Sequence, residues 1–163
     1  TLKQPGISKS TSGVFVAAGE TPAISSANFK PLTDDQWSKL NVVGKLKIRP
    51  VVFQSGTSLL TLEGKKEIDR LAEDLSLYPN YRLLVRGHTR PEGDEQQNVL
   101  LSQQRAEAVA SYLIRIYDIP AARVRSEGIG GRDPLPQEEG ESPRRWQGRL
   151  PRVEILLVED PAI

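Results

Sequence analysis

The chain has 163 residues, 37% of them apolar and 26% charged, enough for one domain with a true core and an appendage. Its 22 Lys and Arg stand against 21 Asp and Glu, a formal charge of +1, so the basic excess of a nucleic-acid binder is missing. No apolar run approaches the roughly 18 residues of a membrane span, and the absence of cysteine excludes disulfides, thiol catalysis and zinc–thiolate sites. There is also no methionine, so the chain reads as a fragment of something longer, from which a signal peptide, lipid anchor or upstream domain could have been cut away.

Residues 1–40 read as a linker or N-terminal extension, partly ordered, and residues 41–163 as the domain. Up to about Pro31 the chain is rich in Ser, Thr, Gly, Ala and Pro, with Ser8 to Gly13 the most linker-like stretch. Val14-Phe15-Val16 is a short apolar run that suits an edge strand. Thr33-Asp34-Asp35-Gln36-Trp37 has the form of a capped helical turn. Leu46, Ile48 and Val51-Val52-Phe53 read as a first strand broken by Pro50. A helix follows with Thr61 as its N-cap, and Ile68, Leu71, Ala72 and Leu75 form one buried stripe.

After Tyr78-Pro79-Asn80, a second strand runs from Tyr81 to Arg86, and the segment His88 to Asp94 is rich in turn formers. A long helix spans about Gln97 to Tyr117, with Leu101, Ala108, Val109, Tyr112, Leu113 and Ile116 as its apolar face. A third strand, Arg123 to Glu127, leads into Gly128-Ile129-Gly130-Gly131. A polar excursion from Arg132 to Pro151 contains the helix start Ser142-Pro143, and Arg152 to Val158 is the last strand. The order strand, helix, strand, helix, strand, strand predicts an α+β fold: β-α-β-α-β-β, a small mixed sheet with helices packed on one face.

No catalytic constellation is present. His88, the one histidine, has no cysteine or second histidine beside it, and Ser102, Ser111 and Ser126 sit in no nucleophile elbow. Gly128 to Gly131 lacks the dinucleotide spacing, and its glycines suit a turn with positive φ. The residues therefore point to a binding module, not an enzyme, with no cofactor. The cluster Arg144, Arg145, Arg149 and Arg152 around Trp146 reads either as a solvated excursion or as a rim that contacts ligand.

Four segments taken together carry a sharper signal. They are Phe53 ahead of the first helix, Gly87-His88-Thr89 at a strand end, Asn98-Val99-Leu100-Leu101-Ser102-Gln103-Gln104-Arg105-Ala106, and Arg152-Val153-Glu154. Across about Lys45 to Glu159 the chain resembles the OmpA-like peptidoglycan-binding family, whose pattern reads Gly-His-Thr-Asp, then Asn-x-x-Leu-Ser-x-x-Arg-Ala, then Asn-Arg-Arg-Val-Glu. The resemblance implies the same β-α-β-α-β-β fold. It also implies a non-covalent module that grips a diaminopimelate-type stem peptide and anchors an envelope protein in the periplasm of a Gram-negative bacterium, at the outer membrane or cell wall.

In the family the acid after Gly-His-Thr takes an ammonium and the arginine takes a carboxylate. A zwitterionic ligand end requires one anion and one cation side by side, and arginine's planar fork suits the carboxylate. Carried over residue by residue, the candidate ligand contacts are Gly56, His88, Thr89, Arg90, Asn98, Arg105 and Arg152. Two of these positions depart from the family pattern, Arg90 replacing the acid and Gly56 a polar residue, and ahead of Arg152 Leu150-Pro151 replaces Asn-Arg. Two unit charges about 4 Å apart interact by roughly 4 kcal/mol at an effective dielectric near 20, so the charge swap at Arg90 reverses a large term. Three outcomes stay open. Arg90 pairs with Glu92, Asp94 or Glu95 and one of these acids takes the ammonium; the site holds an anion between Arg90 and Arg105; or the domain has lost wall recognition and serves as a protein-interaction scaffold among envelope proteins.

Overall fold

The computed structural model describes residues 2–3, 6–7 and 29–159; the edge-strand expectation for Val14 to Val16 lies outside them. Ahead of the domain, Leu2–Lys3 and Gly6–Ile7 pair in parallel. Residues 29–159 contain α1 (Asp34–Ser38), within the stretch expected to be linker, and then β1 (Val42–Lys45), α2 (Leu62–Leu75), β2 (Tyr81–His88), α3 (Glu95–Tyr117), β3 (Val124–Gly130), α4 (Pro143–Arg149) and β4 (Arg152–Glu159). These four strands lie in the order β1-β4-β2-β3. β4 is antiparallel to both β1 and β2, whereas β2 and β3 are parallel, as the α3 crossover between them requires.

The helix boundaries follow local chemistry. Thr33 caps α1 with a full capping box to Gln36. Thr61 accepts from Gly64 N at the start of α2, and Ser142 does the same for Arg145 N ahead of Pro143. β2 is buried on both faces because it is central. Leu83 and Val85 join Ile68, Leu71, Leu75, Val109 and Leu113 in the main core under α2 and α3, while Leu84 meets Leu156, Val158 and Leu40 on the other face.

Two expectations are corrected here. The first strand is Val42–Lys45, not the stretch from Leu46 to Phe53. Leu46 and Ile48 do pack on the core, but beyond Leu46 regular pairing stops, and Phe53 makes only an isolated bridge to Leu60. The buried face of α3 is Ser102, Ala106, Val109, Ala110 and Leu113, rotated away from Leu101 and Ile116. Small residues are needed there because the backbones of α3, β2 and β3 almost touch: a Cβ on Gly87 would fall 2.2 Å from Ser102 O, and one on Gly128 2.5 Å from Gln103 N.

The second face of the sheet is covered by residues 29–41. The Phe29 ring lies between two fully buried guanidiniums, 5.4 Å from that of Arg82 and 5.3 Å from that of Arg123. Trp37 also stacks on Arg82, at 5.7 Å. Backbone carbonyls complete the support: Arg82 donates to Ala122 O, and Arg123 donates to Tyr81 O and Tyr78 O. Burial lowers the Arg123 pKa to about 10.

Candidate ligand-binding site

Arg105 projects from the middle of α3 toward the loop between β1 and α2. Its Nε donates to Thr57 O at 2.8 Å, and its guanidinium stacks over Phe53 at 5.1 Å. Partial burial lowers its pKa from the usual arginine value, yet the group stays a cation at any ordinary pH. Both Nη groups are left without a partner among the described residues. Thr57 closes a turn onto Gln54 O, with Gly56 inside it at φ +71. Gly56 thus shapes the carbonyl that holds Arg105; it brings no side chain of its own.

At the start of α3, Asn98 Nδ2 donates to Glu92 O at 2.9 Å and to Arg90 O at 3.3 Å. It fastens the loop after β2 to the helix. Asn98 and Arg105 are seven residues apart, two helical turns, so they share one stripe of α3 at about 10 Å spacing. Thr89 is buried; its N donates to Gly130 O and its hydroxyl to Arg90 O. The Arg90 side chain is exposed and makes no ion pair among the described residues. Of the outcomes left open, the pairing of Arg90 with Glu92, Asp94 or Glu95 is not made among the described residues: Asp94 caps α3 through Gln96 N, and Glu95 lies 4.0 Å from Arg132.

His88 and Arg152 are placed elsewhere. Strand alternation puts them on the second face, away from α3. His88 is 1% exposed, and its Nε2 meets Glu154 Oε1 at 2.9 Å. Arg152 donates to Glu154 Oε2, Leu150 O and Asp133 O. Lys45 reaches the same carboxylate at 3.3 Å. Burial opposes ionisation of Glu154, but hydrogen bonds from His88 and Arg152 overcome it and hold the carboxyl well below the usual range. Glu154 is therefore a hub joining β1, β2, β4 and the polar excursion, a role that sequence reading missed.

The excursion is tied down from within. Arg149 forms a two-pronged pair with Glu141 at 2.6 and 2.7 Å, and Trp146 Nε1 donates to Leu135 O. The Glu141 carboxyl is lowered to about 2 by the Arg149 hydrogen bonds and the Glu138 backbone N–H. Arg144 and Arg145 remain exposed. Gly130, at φ +65, turns the chain out of β3 while its N donates to the buried Ser102 Oγ.

A family model described as the OmpA family matches residues 52–146. The chain belongs to the OmpA family. It is 36% identical over 110 residues to the probable lipoprotein YiaD of Escherichia coli, covering 66% of this chain and 47% of that protein. It is 28% identical over 85 residues to the peptidoglycan-associated lipoprotein of Rhizobium meliloti, covering 52% of this chain and 48% of the relative. The chain thus spans about half the length of these OmpA-like relatives. Among solved structures, the peptidoglycan-associated lipoprotein of Burkholderia pseudomallei superposes with a TM-score of 0.53 at 23% identity, over 68% of this chain and 90% of that one. This last likeness establishes the shared OmpA-like fold. No helix among the described residues is long and apolar enough to cross a membrane.

Proposed function

We propose that this chain is a non-covalent peptidoglycan-binding module, without enzymatic activity, that anchors an envelope protein in the bacterial periplasm. Arg105 carries the reading. Its guanidinium is half buried, pre-oriented by Thr57 O and the Phe53 ring, and has both Nη groups free for a carboxylate. Pre-orientation lowers the entropy lost when a ligand carboxylate docks, and a two-pronged charge-assisted pair is the strong form of such a contact. Asn98 lies on the same stripe of α3 as Arg105 and ties down the loop that carries Thr89 and Arg90, Gly56 shapes the turn that presents Thr57 O, and His88 and Arg152 act through Glu154 to hold the strand ends. Relatives that carry the name peptidoglycan-associated lipoprotein support the same ligand class.

Sedimentation with purified sacculi tests it. The domain is expected in the pellet at low salt, and Arg105→Ala is expected to weaken binding roughly tenfold or more. A domain that stays in the supernatant sinks the reading.

A second reading rests on the exposed, unpaired Arg90: a site converted to anions or to acidic protein partners. Arg90→Asp separates the two. A gain of sacculus binding that the parent lacks favours the converted site, whereas unchanged binding places Arg90 outside the contact.

A further inference from the structure

A basic strip lies outside this site. Leu46 and Ile48 turn to the core, and Lys45, Lys47 and Arg49 take the alternate positions along the same extended run. Arg49 N donates to the buried Glu67 carboxylate at 2.8 Å, which brings the run against α2. There Arg49, Lys66 and Arg70 line one depression of about 260 Å³ together with Pro50, Glu63 and Glu67. Over residues 46–72 the exposed charged side chains are Lys47, Arg49, Lys65, Lys66, Arg70 and one acid, Glu63. Glu67 is occupied by Arg49 N, and its contact with Arg70 is a loose 4.0 Å. Asp69 accepts from the hydroxyls of Tyr112 and Tyr117. The exposed charges on this side are thus mainly cations, with Glu63 and Glu73 the exposed acids near them, while Glu67 and Asp69 are engaged internally.

The strip continues from the candidate site. α2 begins just after the loop whose Thr57 carbonyl holds Arg105, and Leu62, Lys66 and Arg70 follow at i, i+4 and i+8 on one stripe. Leu62 is 67% exposed and Leu59, in the loop, 59%.

We infer that this strip is a second, electrostatic contact for the carboxylates of stem peptides neighbouring the one held at Arg105. The inference rests on the wall-binding reading. A walled depression suits a protruding carboxylate better than the flat headgroup plane of a bilayer. The exposed acid Glu63 among its cations suits a ligand that also carries ammonium groups. Two weak contacts on one polymer multiply through effective concentration, so the strip adds avidity without a tight site of its own.

The test compares Lys66→Gln/Arg70→Gln with the parent chain on two ligands: intact sacculi, and a soluble diaminopimelate-type muropeptide carrying one stem peptide. The double variant is expected to bind sacculi roughly three- to tenfold more weakly, with a shallower salt dependence, and to bind the soluble muropeptide as the parent does. Lys66→Glu/Arg70→Glu is expected to deepen the sacculus loss, with circular dichroism showing an intact fold. Unchanged sacculus affinity and salt dependence in both variants overturns the inference. So does a salt-sensitive association of the parent with phosphatidylglycerol vesicles that exceeds its binding to sacculi. A parent that binds neither sacculi nor muropeptide overturns the wall-binding reading itself, a result distinct from loss confined to the polymer.

Discussion

Glu154 shows what one carboxylate accomplishes when three cationic or N–H partners, Lys45, His88 and Arg152, converge on it from three strands. Its folded pKa is depressed, so its stabilisation is complete above the ordinary carboxylate range and is lost as pH falls through and below that range. Melting temperatures measured from pH 6 to pH 2 are expected to drop more steeply in the parent than in Glu154→Gln. At neutral pH the variant should be about 2 to 4 kcal/mol less stable, since the Glu154 side chain is only 13% exposed and its partners are left uncompensated. Asp69 plays a parallel part between the helices, where the Tyr112 and Tyr117 hydroxyls donate to its Oδ1 at 2.9 and 2.6 Å. Burial, with Asp69 beside it, pushes the Tyr112 phenol up to about 12 and Tyr117 higher still. An alkaline absorbance titration of the four tyrosines is expected to show two that ionise only beyond this range or on unfolding. Asp69→Asn should return them toward ordinary values. The candidate motif at Thr89, Asn98 and Arg105 could be picked out of the sequence because its spacing is local. The Glu154 hub was not: His88 and Glu154 are 66 residues apart, and only strand pairing brings them together.

Among the elements, α3 carries the tightest constraint. Ser102, Ala106 and Ala110 let it settle against glycines in β2 and β3, and a Cβ at Gly128 would crowd Val99 O at 2.6 Å as well as Gln103 N. Gly128→Ala is expected to lower stability by about 2 kcal/mol in chemical denaturation, because helix backbone cannot yield as a side chain does. Gly148→Ala, in the open on α4, should be neutral or stabilising by up to about 1 kcal/mol. The same contrast explains what sequence patterning recovered. α2 was readable at its Thr61 cap and along its aliphatic stripe, Ile68, Leu71, Ala72 and Leu75, but its buried Gly64 and Glu67 were not. α3 was readable in extent but not in rotation, because its closest face is made of Ser and Ala, which hydropathy undervalues. β1 was misplaced because its Val42 and Val43 are half exposed and its pairing is interrupted by a bulge, so the more apolar stretch after it looked the better strand.

For the whole molecule, the sheet has two differently built faces. The main core lies under α2 and α3. The other face is closed by Phe29, α1 and Leu40, with a cavity of about 240 Å³ between Trp37, Leu84, Arg86 and Arg125. α1 has no buried residue, and its ion pair from Asp34 to Arg125 is largely exposed, so Phe29 is the principal anchor of this covering segment. Phe29→Ala is expected to cost about 2 to 3 kcal/mol. Hydrogen exchange should accelerate through residues 29–41 while the amides of β2 and β4 stay protected; uniform acceleration across the sheet would contradict the anchor role. This arrangement also has a mechanical meaning. The chain enters the domain at Phe29 on one side of the sheet, whereas Arg105 stands among the helices on the other. If the proposed ligand is held at Arg105, a pull on the chain ahead of Phe29 would be transmitted through the thickness of the sheet. The aromatic ring clasped by two guanidiniums would meet such a pull before any strand does, so force spectroscopy is expected to show residues 29–41 detaching, as a slack-yielding fuse, before the strands separate.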